Sequence, residues 1–251
     1  MGWIGKIVGG ALGLAIGGPL GLVAGIAFGN LFDRSTNIGR TQKAPTYTQT
    51  QHSQMVYFVA TFSMLAKMAT ANGRFVPEER KVIEDYMTHK LKLDPSSKEA
   101  AWRVFNAALS GQGTFEEYAQ QFYESFAHER AHLEVMLDVL VGIAAADGKI
   151  DPSEERLINR AASIFRISAS LLDAIKKRYT NNLDDAYALL GLTRQASEGD
   201  IKRAYRRLSI DFHPDSIASK GLPEEFTLFA SDKFRSIQEA YEAIKKERGF
   251  T

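Results

Sequence analysis

The sequence predicts an all-α protein with three parts. After residue 52, apolar residues recur at three- and four-residue steps, and no stretch shows the strict alternation of a strand. Residues 7–28 carry no charge and are long enough to cross a bilayer as a helix. We therefore predict a single amino-terminal transmembrane helix, a central helical bundle and a carboxy-terminal three-helix domain.

The composition argues against several classes of function. The 251 residues include no cysteine, which excludes a disulfide framework and a Cys-type zinc site. Apolar residues at 45% and charged residues at 24% are typical of a globular protein. A net charge of +1 argues against nucleic acid as a partner.

Residues 1–33 form the predicted membrane segment, and glycine is its main signal. A glycine stands at every fourth position from Gly5 to Gly29, which exposes a strip of backbone and lets a second helix approach closely. In water, so many glycines inside a helix would each cost about 1 kcal/mol. The pattern predicts a homodimer through the transmembrane helix. The contact positions are Gly9, Gly13, Gly17, Gly21 and Gly25.

Basic residues after the apolar stretch predict its orientation. Such residues favour the cytoplasmic side, so the carboxy-terminal domains are expected in the cytoplasm. The basic residues in question are Arg34, Arg40 and Lys43. Residues 34–51 are polar, rich in Thr and Gln, and predict a linker. The alternative is a cleaved signal peptide with Lys6 as its charged start and Gly25-Ile26-Ala27 as the cleavage site.

Residues 52–179 predict a helical domain with an internal repeat. The turns Asn72-Gly73 and Asp147-Gly148 each precede a proline, which suits the first position of a helix. This pattern resembles the TerB-like helical domain, which is built from two related halves. The predicted helices cover residues 54–71, 77–91, 96–110, 115–127, 130–146, 153–165 and 168–178.

Two clusters in this domain suggest other chemistry. Asp147, Asp151 and Glu154 have oxygen ligands that suit calcium or magnesium. Helix capping by Asp151, with Glu154 favoured by the helix dipole, explains these residues without a metal. We predict no metal site.

The second cluster, residues 128–132, matches the H-E-x-x-H pattern of zinc peptidases. Two histidines four residues apart on a helix share a face, and Glu129 is available as a base. Arg130 and Glu134 are unlike the residues usual in such helices, and the same helix is needed for the core. The peptidase is therefore an alternative hypothesis, and we predict no catalytic residue.

Residues 184–251 predict three helices. In the second, Ile201, Ala204, Tyr205, Leu208 and Phe212 form one apolar stripe, with basic residues on the opposite face. Ser197 is a suitable cap for its start, and Pro214 predicts its end. A short helix ending at Gly191 precedes it, and a long amphipathic helix follows. A loop is predicted to begin at His213.

These elements, with the tripeptide His213-Pro214-Asp215 after the basic helix, resemble the J domain of DnaJ-like co-chaperones. The resemblance implies docking on an ATP-dependent chaperone of the DnaK class and stimulation of its ATP hydrolysis. The implied contacts are His213, Pro214, Asp215, Lys202, Tyr205, Arg206 and Arg207. One departure is Ser216, which stands where the family usually has a basic residue.

The order of the three parts is similar to that of membrane-anchored DnaJ-like co-chaperones of bacteria. The resemblance implies a protein of the bacterial inner membrane that passes it once and needs no cofactor. The joint at residues 179–183 is short and is expected to hold the last two domains close together. The alternative function is a membrane scaffold that acts through the TerB-like domain.

Overall fold

A computed structural model describes residues 16–35, 48–73, 75–146, 148–180, 186–218 and 221–250. All regular structure in these ranges is helical, which confirms the predicted all-α class. The helices are α1 (Gly18–Ser35), α2 (Gln49–Met68), α3 (Pro77–His89), α4 (Pro95–Ser110), α5 (Phe115–Phe126), α6 (Arg130–Ala144), α7 (Pro152–Ile164), α8 (Ala169–Thr180), α9 (Ala186–Leu189), α10 (Glu198–Asp211), α11 (Pro214–Ala218) and α12 (Glu224–Arg248).

The helices predicted for the central domain correspond to α2 through α8, and the largest difference is at the start of α2. This helix begins at Gln49, inside the predicted linker, because Thr48 and Gln51 form a capping box. The Gln51 amide donates to Thr48 Oγ1 at 3.2 Å, and the Thr48 amide donates to Gln51 Oε1 at 2.9 Å. Two amides at the helix start are thereby satisfied.

Helix α6 lies at the centre of the described structure. Helices α3, α5, α7 and α8 pack on it, and so does α10 from the carboxy-terminal domain. Every residue from Ala131 to Ala144 is buried, including the polar residues His132, Glu134 and Asp138. A helix buried on all sides can carry polar groups only where partners compensate for lost water. Two of these groups take part in the contact between the domains.

The two repeated turns have the same construction. Gly73 and Gly148 have φ angles of 124° and 90°, in the region that favours glycine. Pro77 and Pro152 then occupy the first turn of α3 and α7. Each of these helices is therefore preceded by a glycine with positive φ and begins with a proline, as the internal repeat predicts.

In the carboxy-terminal domain, α9, α10 and α11 all pack against the long helix α12. Ser197 caps α10 as predicted, since its hydroxyl accepts from the Asp200 amide at 3.1 Å. The expectation of a loop directly after His213 is wrong, because Pro214 begins the short helix α11. Proline lacks an amide hydrogen and has a fixed φ, so it ends one helix and is well suited to start the next.

The predicted membrane segment lies only partly within the described residues. Residues 7–15 fall outside them, whereas residues 18–35 form α1, which packs on α2, α4 and α5. Within the described ranges, none of the helices has both the length and the apolar character required to cross a bilayer. Of the predicted contact glycines, Gly9 and Gly13 lie outside the described residues, and Gly21 is buried against the central domain.

The central and carboxy-terminal domains are in direct contact. Phe226 of α12 lies against Tyr57 of α2 with ring centres 4.8 Å apart. Ser97 Oγ of α4 donates to Glu225 Oε1 at 2.8 Å, and both residues are buried. At Gly191, with φ 71°, a methyl group would overlap the Cβ atom of Ala174 in α8. The backbone thus approaches the neighbouring domain as closely as a residue without a side chain permits.

Candidate functional site

The tripeptide His213-Pro214-Asp215 lies at the junction of α10 and α11. The side chains of His213 and Asp215 are exposed. His213 Nδ1 accepts a hydrogen bond from the Asp215 amide at 3.3 Å, and the His213 ring meets Phe234 of α12 edge-on at 5.4 Å. The tripeptide is therefore accessible and braced by its own domain.

Two buried residues on either side anchor the tripeptide. Phe212 and Ile217 are each 1% exposed. The guanidinium of Arg178, from the central domain, lies 5.9 Å from the centre of the Phe212 ring. Since the central domain contacts the residue directly before His213, it contributes to the position of the tripeptide.

The basic face of α10 is stabilised by acidic residues at the start of the same helix. Lys202 pairs with Glu198 at 2.7 Å, and Arg203 pairs with Asp200. Arg206 is exposed, and Arg207 is half-buried. Pairs at this spacing stabilise a helix by only about 0.2–0.5 kcal/mol, so a partner can displace them at little cost.

Tyr205 has a packing role in addition to the role that the resemblance implies. Its ring stacks on Tyr241 of α12 with centres 4.0 Å apart and planes 10° apart. An aromatic pair contributes about 0.5–1.5 kcal/mol beyond its buried area. Tyr205 is therefore one of the residues that hold α10 on α12.

Two carboxyl groups meet where α10 crosses α6, two residues before His213. Asp211 lies next to Glu134, whose side chain is 1% exposed. Arg130 Nε lies 2.8 Å from Glu134 Oε1 and is mostly exposed. Burial, then the charge of Glu134 and a hydrogen bond to it, raise the pKa of Asp211 to about 7, with a partial offset from Arg207 and Arg130. The crossing thus brings one acidic side chain from each domain together.

A second ionic cluster lies deeper in the interface. Asp138 of α6 is completely buried, and its carboxylate lies 3.4 Å from Arg178 Nη1 and 3.5 Å from Lys233 Nζ. Lys233 belongs to α12 and also lies 4.3 Å from the centre of the Tyr179 ring. Burial lowers the pKa of Lys233, and the charge of Asp138 opposes this shift. One carboxylate thus connects two cations, one from each domain.

The two histidines of the H-E-x-x-H pattern do not share a helix face. His128 precedes α6, which begins at Arg130, and is exposed, whereas His132 is completely buried. The His132 ring stacks on Phe126 with centres 5.1 Å apart and meets Tyr57 edge-on at 5.9 Å. In the described part of the chain, no group of three His, Asp or Glu side chains is arranged to hold a metal ion.

Of the three residues considered as cation ligands, Asp147 lies outside the described residues, and Asp151 and Glu154 cap a helix. Asp151 Oδ1 accepts from the Ser153 amide at 2.7 Å, and the Asp151 amide donates to Glu154 Oε2 at 3.4 Å. The hydrogen bonds that the Asp151 carboxylate accepts lower its pKa, first that from the Ser153 hydroxyl and then that from the Ser153 amide. Both residues also line a cleft of about 400 Å³ between the two repeated turns.

Comparison with known proteins finds matches along the chain. Residues 1–44 match the family model of the co-chaperone DjlA transmembrane domain, residues 58–177 that of tellurite resistance protein TerB, and residues 185–249 the DnaJ domain. No solved structure matches the chain.

Curated relatives match over nearly their full length. The co-chaperone protein DjlA of Coxiella burnetii is 31% identical, with 99% of each chain aligned. The proteins of the same name in Shewanella oneidensis and Escherichia coli are 30% and 28% identical to this chain, with 98% and 100% of each chain aligned.

A DnaJ domain with an exposed His-Pro-Asp tripeptide, behind a transmembrane segment, defines a membrane-anchored J-domain co-chaperone. Partners of this class are chaperones of the Hsp70 kind. The chain belongs to the DjlA family of co-chaperones. This membership confirms the predicted family and does not favour the scaffold or peptidase alternatives.

Sequence reasoning missed the residues that join the two domains. Glu134 and Asp138 stand in a strongly apolar helix, and a charged residue there signals a buried partner. The partners Asp211, Lys233 and Arg178 lie on other helices, and periodicity does not pair residues across helices. The charges were therefore detectable, but not their pairing.

Proposed function

We propose that the chain docks through its J domain on a DnaK-class chaperone and stimulates ATP hydrolysis by that partner. In this proposal, His213, Pro214 and Asp215 engage the partner, and Lys202, Tyr205, Arg206 and Arg207 meet an acidic patch on it. The J domain spans residues 184–251 and the TerB-like domain residues 52–179. The chain itself performs no chemistry and holds no cofactor.

The observation that carries the proposal is the exposure of the tripeptide beside a cationic helix face. His213 and Asp215 reach solvent while Phe212 and Ile217 hold the backbone beneath them. Exposed Arg206 precedes the tripeptide by two helical turns. A charged rim of this kind increases the rate of encounter more than the affinity, so the complex is expected to be transient and sensitive to salt. Asp215 offers a carboxylate for a partner arginine.

The proposed setting is the cytoplasmic face of the bacterial inner membrane. Residues 1–33 are the anchor and residues 34–51 the linker, and the basic residues after the apolar stretch favour cytoplasmic carboxy-terminal domains. There the J domain meets chaperones that use cytosolic ATP. Nucleic acid is not a proposed partner, since residues 184–251 carry 11 basic and 12 acidic side chains.

Self-association in the membrane is part of the proposal. The glycine row allows two spans to cross closely. Gly9→Leu with Gly13→Leu changes the row outside the described helix α1, so it leaves the contact of α1 with the central domain in place. The double variant should crosslink less than the unchanged chain in membranes while inserting equally well. An unchanged dimer yield would contradict this part.

His213→Gln tests the proposed chaperone contact. We expect the variant to lose the stimulation of a DnaK-class ATPase, because the exposed ring at the tripeptide is removed while the helices on either side are kept. Steady-state hydrolysis by the partner is measured with increasing amounts of the full chain. His89→Gln, which changes another exposed histidine at the end of α3, is the matched control.

Circular dichroism should give the same helix content for both variants and the unchanged chain. Stimulation by His213→Gln equal to that by His89→Gln would remove the tripeptide from the proposed site.

A further inference from the structure

The central domain has an apolar groove formed by α2, α4 and α5, and α1 lies in it. The inward side chains of α1, Leu20, Val23, Ala24 and Phe28, are at most 6% exposed. On its outer face, Leu22 and Ile26 remain 60% and 53% exposed. The groove thus accepts one face of the uncharged part of α1, residues 18–32, and leaves a second apolar face of that part exposed.

The start of α1 is held through its backbone. Gln121 of α5 donates from Nε2 to the Gly17 carbonyl at 2.6 Å and accepts at Oε1 from the Leu20 amide at 2.9 Å. Neither bond involves a side chain of the bound helix. The amide of Gln121 therefore holds the helix start through backbone atoms. It also requires glycine at position 18, where φ is 67° and an added Cβ atom would lie 3.0 Å from Gln121 Oε1.

The position of α1 in the groove and a transmembrane position exclude each other. The uncharged stretch covers residues 7–28, and the groove holds the chain from Ile16 onward. Residues 7–15 alone would form a helix of about 14 Å, half the thickness of a bilayer core of about 30 Å. Since residues 1–44 match a transmembrane domain, insertion must withdraw α1 from the groove.

Withdrawal of α1 uncovers the groove. Helix α4, against which α1 packs most extensively, carries four alanines on its buried face, and small residues let a helix approach closely. They are Ala100, Ala101, Ala107 and Ala108. Without α1, the faces of α2, α4 and α5 that it covers would form one exposed apolar surface, and such a surface is typical of an interaction site.

The mouth of the groove carries acidic residues. A cleft of about 650 Å³ adjoins Gly18, where α1 begins. Glu116, Glu117 and Glu124 line it together with one cation, Arg160. This excess of negative charge favours an occupant with basic residues before its apolar helix.

We propose that the uncovered groove binds an apolar, uncharged helix of a partner protein with a basic amino-terminal flank, which is the chemistry of a transmembrane segment. The occupant α1 shows the shape and polarity that the groove accepts, and Gln121 recognises a helix start by its backbone. The central domain is then a binding module for membrane-protein segments, and the anchor of the chain covers the module when it is not inserted. This binding does not depend on the proposed ATPase stimulation.

Engineered cysteines in the full chain test the proposal, since it has no cysteine of its own. The pair Gly17→Cys and Gln120→Cys reports on α1 in the groove and keeps Gln121, since exposed Gln120 lines the cleft beside Gly18. A side chain at Gly17 meets nothing within 4 Å. We expect a short bis-methanethiosulfonate reagent to join the pair in detergent solution. In lipid nanodiscs the yield should fall by about tenfold or more as the population shifts to the inserted state.

The second arm measures the partner helix. A synthetic peptide, Lys-Lys followed by the sequence of residues 16–32 with cysteine in place of Gly17, is added to the Gln120→Cys chain in nanodiscs. It should crosslink there and not to Lys177→Cys, an exposed position on α8, which is not one of the three helices that form the groove. The doubly substituted chain, crosslinked before reconstitution, should not capture a benzophenone-labelled form of the peptide until the reagent is released by dithiothreitol.

Three results would overturn the proposal. The first is an equal yield of the internal crosslink in nanodiscs and in detergent, since the groove would then never be vacant. The second is equal capture of the peptide at Gln120→Cys and at Lys177→Cys. The third is no capture at Gln120→Cys. None of these results bears on ATPase stimulation, so failure here and failure of the proposed chaperone contact are distinguishable.

Discussion

Asp211 connects the proposed docking tripeptide to the central domain. It lies two residues before His213 and next to Glu134 of α6, and its environment also contains Arg207 and Arg130. The motif at His213 could be predicted from the sequence because it is contiguous. The Asp211–Glu134 pair could not, because its members belong to different domains and neither stands in a recognisable pattern.

The raised pKa of Asp211 predicts a pH dependence of domain docking. A carboxyl group with a folded pKa of about 7, above its ordinary value of 3.8, binds more protons in the folded state between these pH values. Its contribution to stability is therefore complete at low pH and is lost as the pH rises through about 7. Urea unfolding of the full chain should show a free energy of unfolding that decreases from pH 6 to pH 8.

In the Asp211→Asn variant, the free energy of unfolding should change less between pH 6 and pH 8, since the amide stays neutral and can still donate to Glu134. Asp215→Asn, an exposed carboxylate in the same region, is the control and should leave the decrease as it is. An identical pH profile for Asp211→Asn and the unchanged chain would show that Asp211 is not the source of the decrease.

Helix α6 determines the packing of both domains. Its apolar spacing predicts a core helix, and the structure agrees to within two residues at its end. The H-E-x-x-H pattern assumes that this helix also includes His128, but it begins two residues later. A pattern match gives residue types in order, whereas the helix start depends on local backbone geometry that the pattern does not contain.

The buried cluster at Asp138 and the exposed pair Lys92–Asp232, both between the domains, predict unequal effects of substitution. Asp138→Asn leaves Arg178 and Lys233 buried without their counter-charge, which should cost about 3–5 kcal/mol. Lys92→Gln removes a pair with Asp232 in which both side chains are 42–50% exposed, and should cost about 1 kcal/mol or less. The midpoints of urea unfolding compare the two variants. A smaller effect for Asp138→Asn than for Lys92→Gln would contradict the role of the buried cluster.

On the scale of the whole molecule, the order of anchor, TerB-like domain and J domain is evident from the sequence because each part has its own periodicity or motif. The docking of the last two domains has a weaker signal. The short joint limits their separation, but the contacts come from residues spread over α2, α4, α6, α8 and α12. The packing of α1 in the groove has no signal in the sequence, because an uncharged, glycine-rich stretch suits both a bilayer and an apolar groove.

The central domain thus contacts the end of α10, directly before the tripeptide. Phe212 and Asp211 contact the central domain, while His213 and Asp215 face solvent. A fixed support reduces the conformational freedom that binding must remove. The central domain therefore pre-organises the proposed docking surface.

Single-turnover ATP hydrolysis by a purified DnaK-class chaperone, measured with and without the full chain in nanodiscs at low ionic strength, tests the central claim most directly. The account predicts a faster rate with the chain, and a smaller acceleration as salt screens the basic face of α10. An unchanged rate at low ionic strength would contradict it.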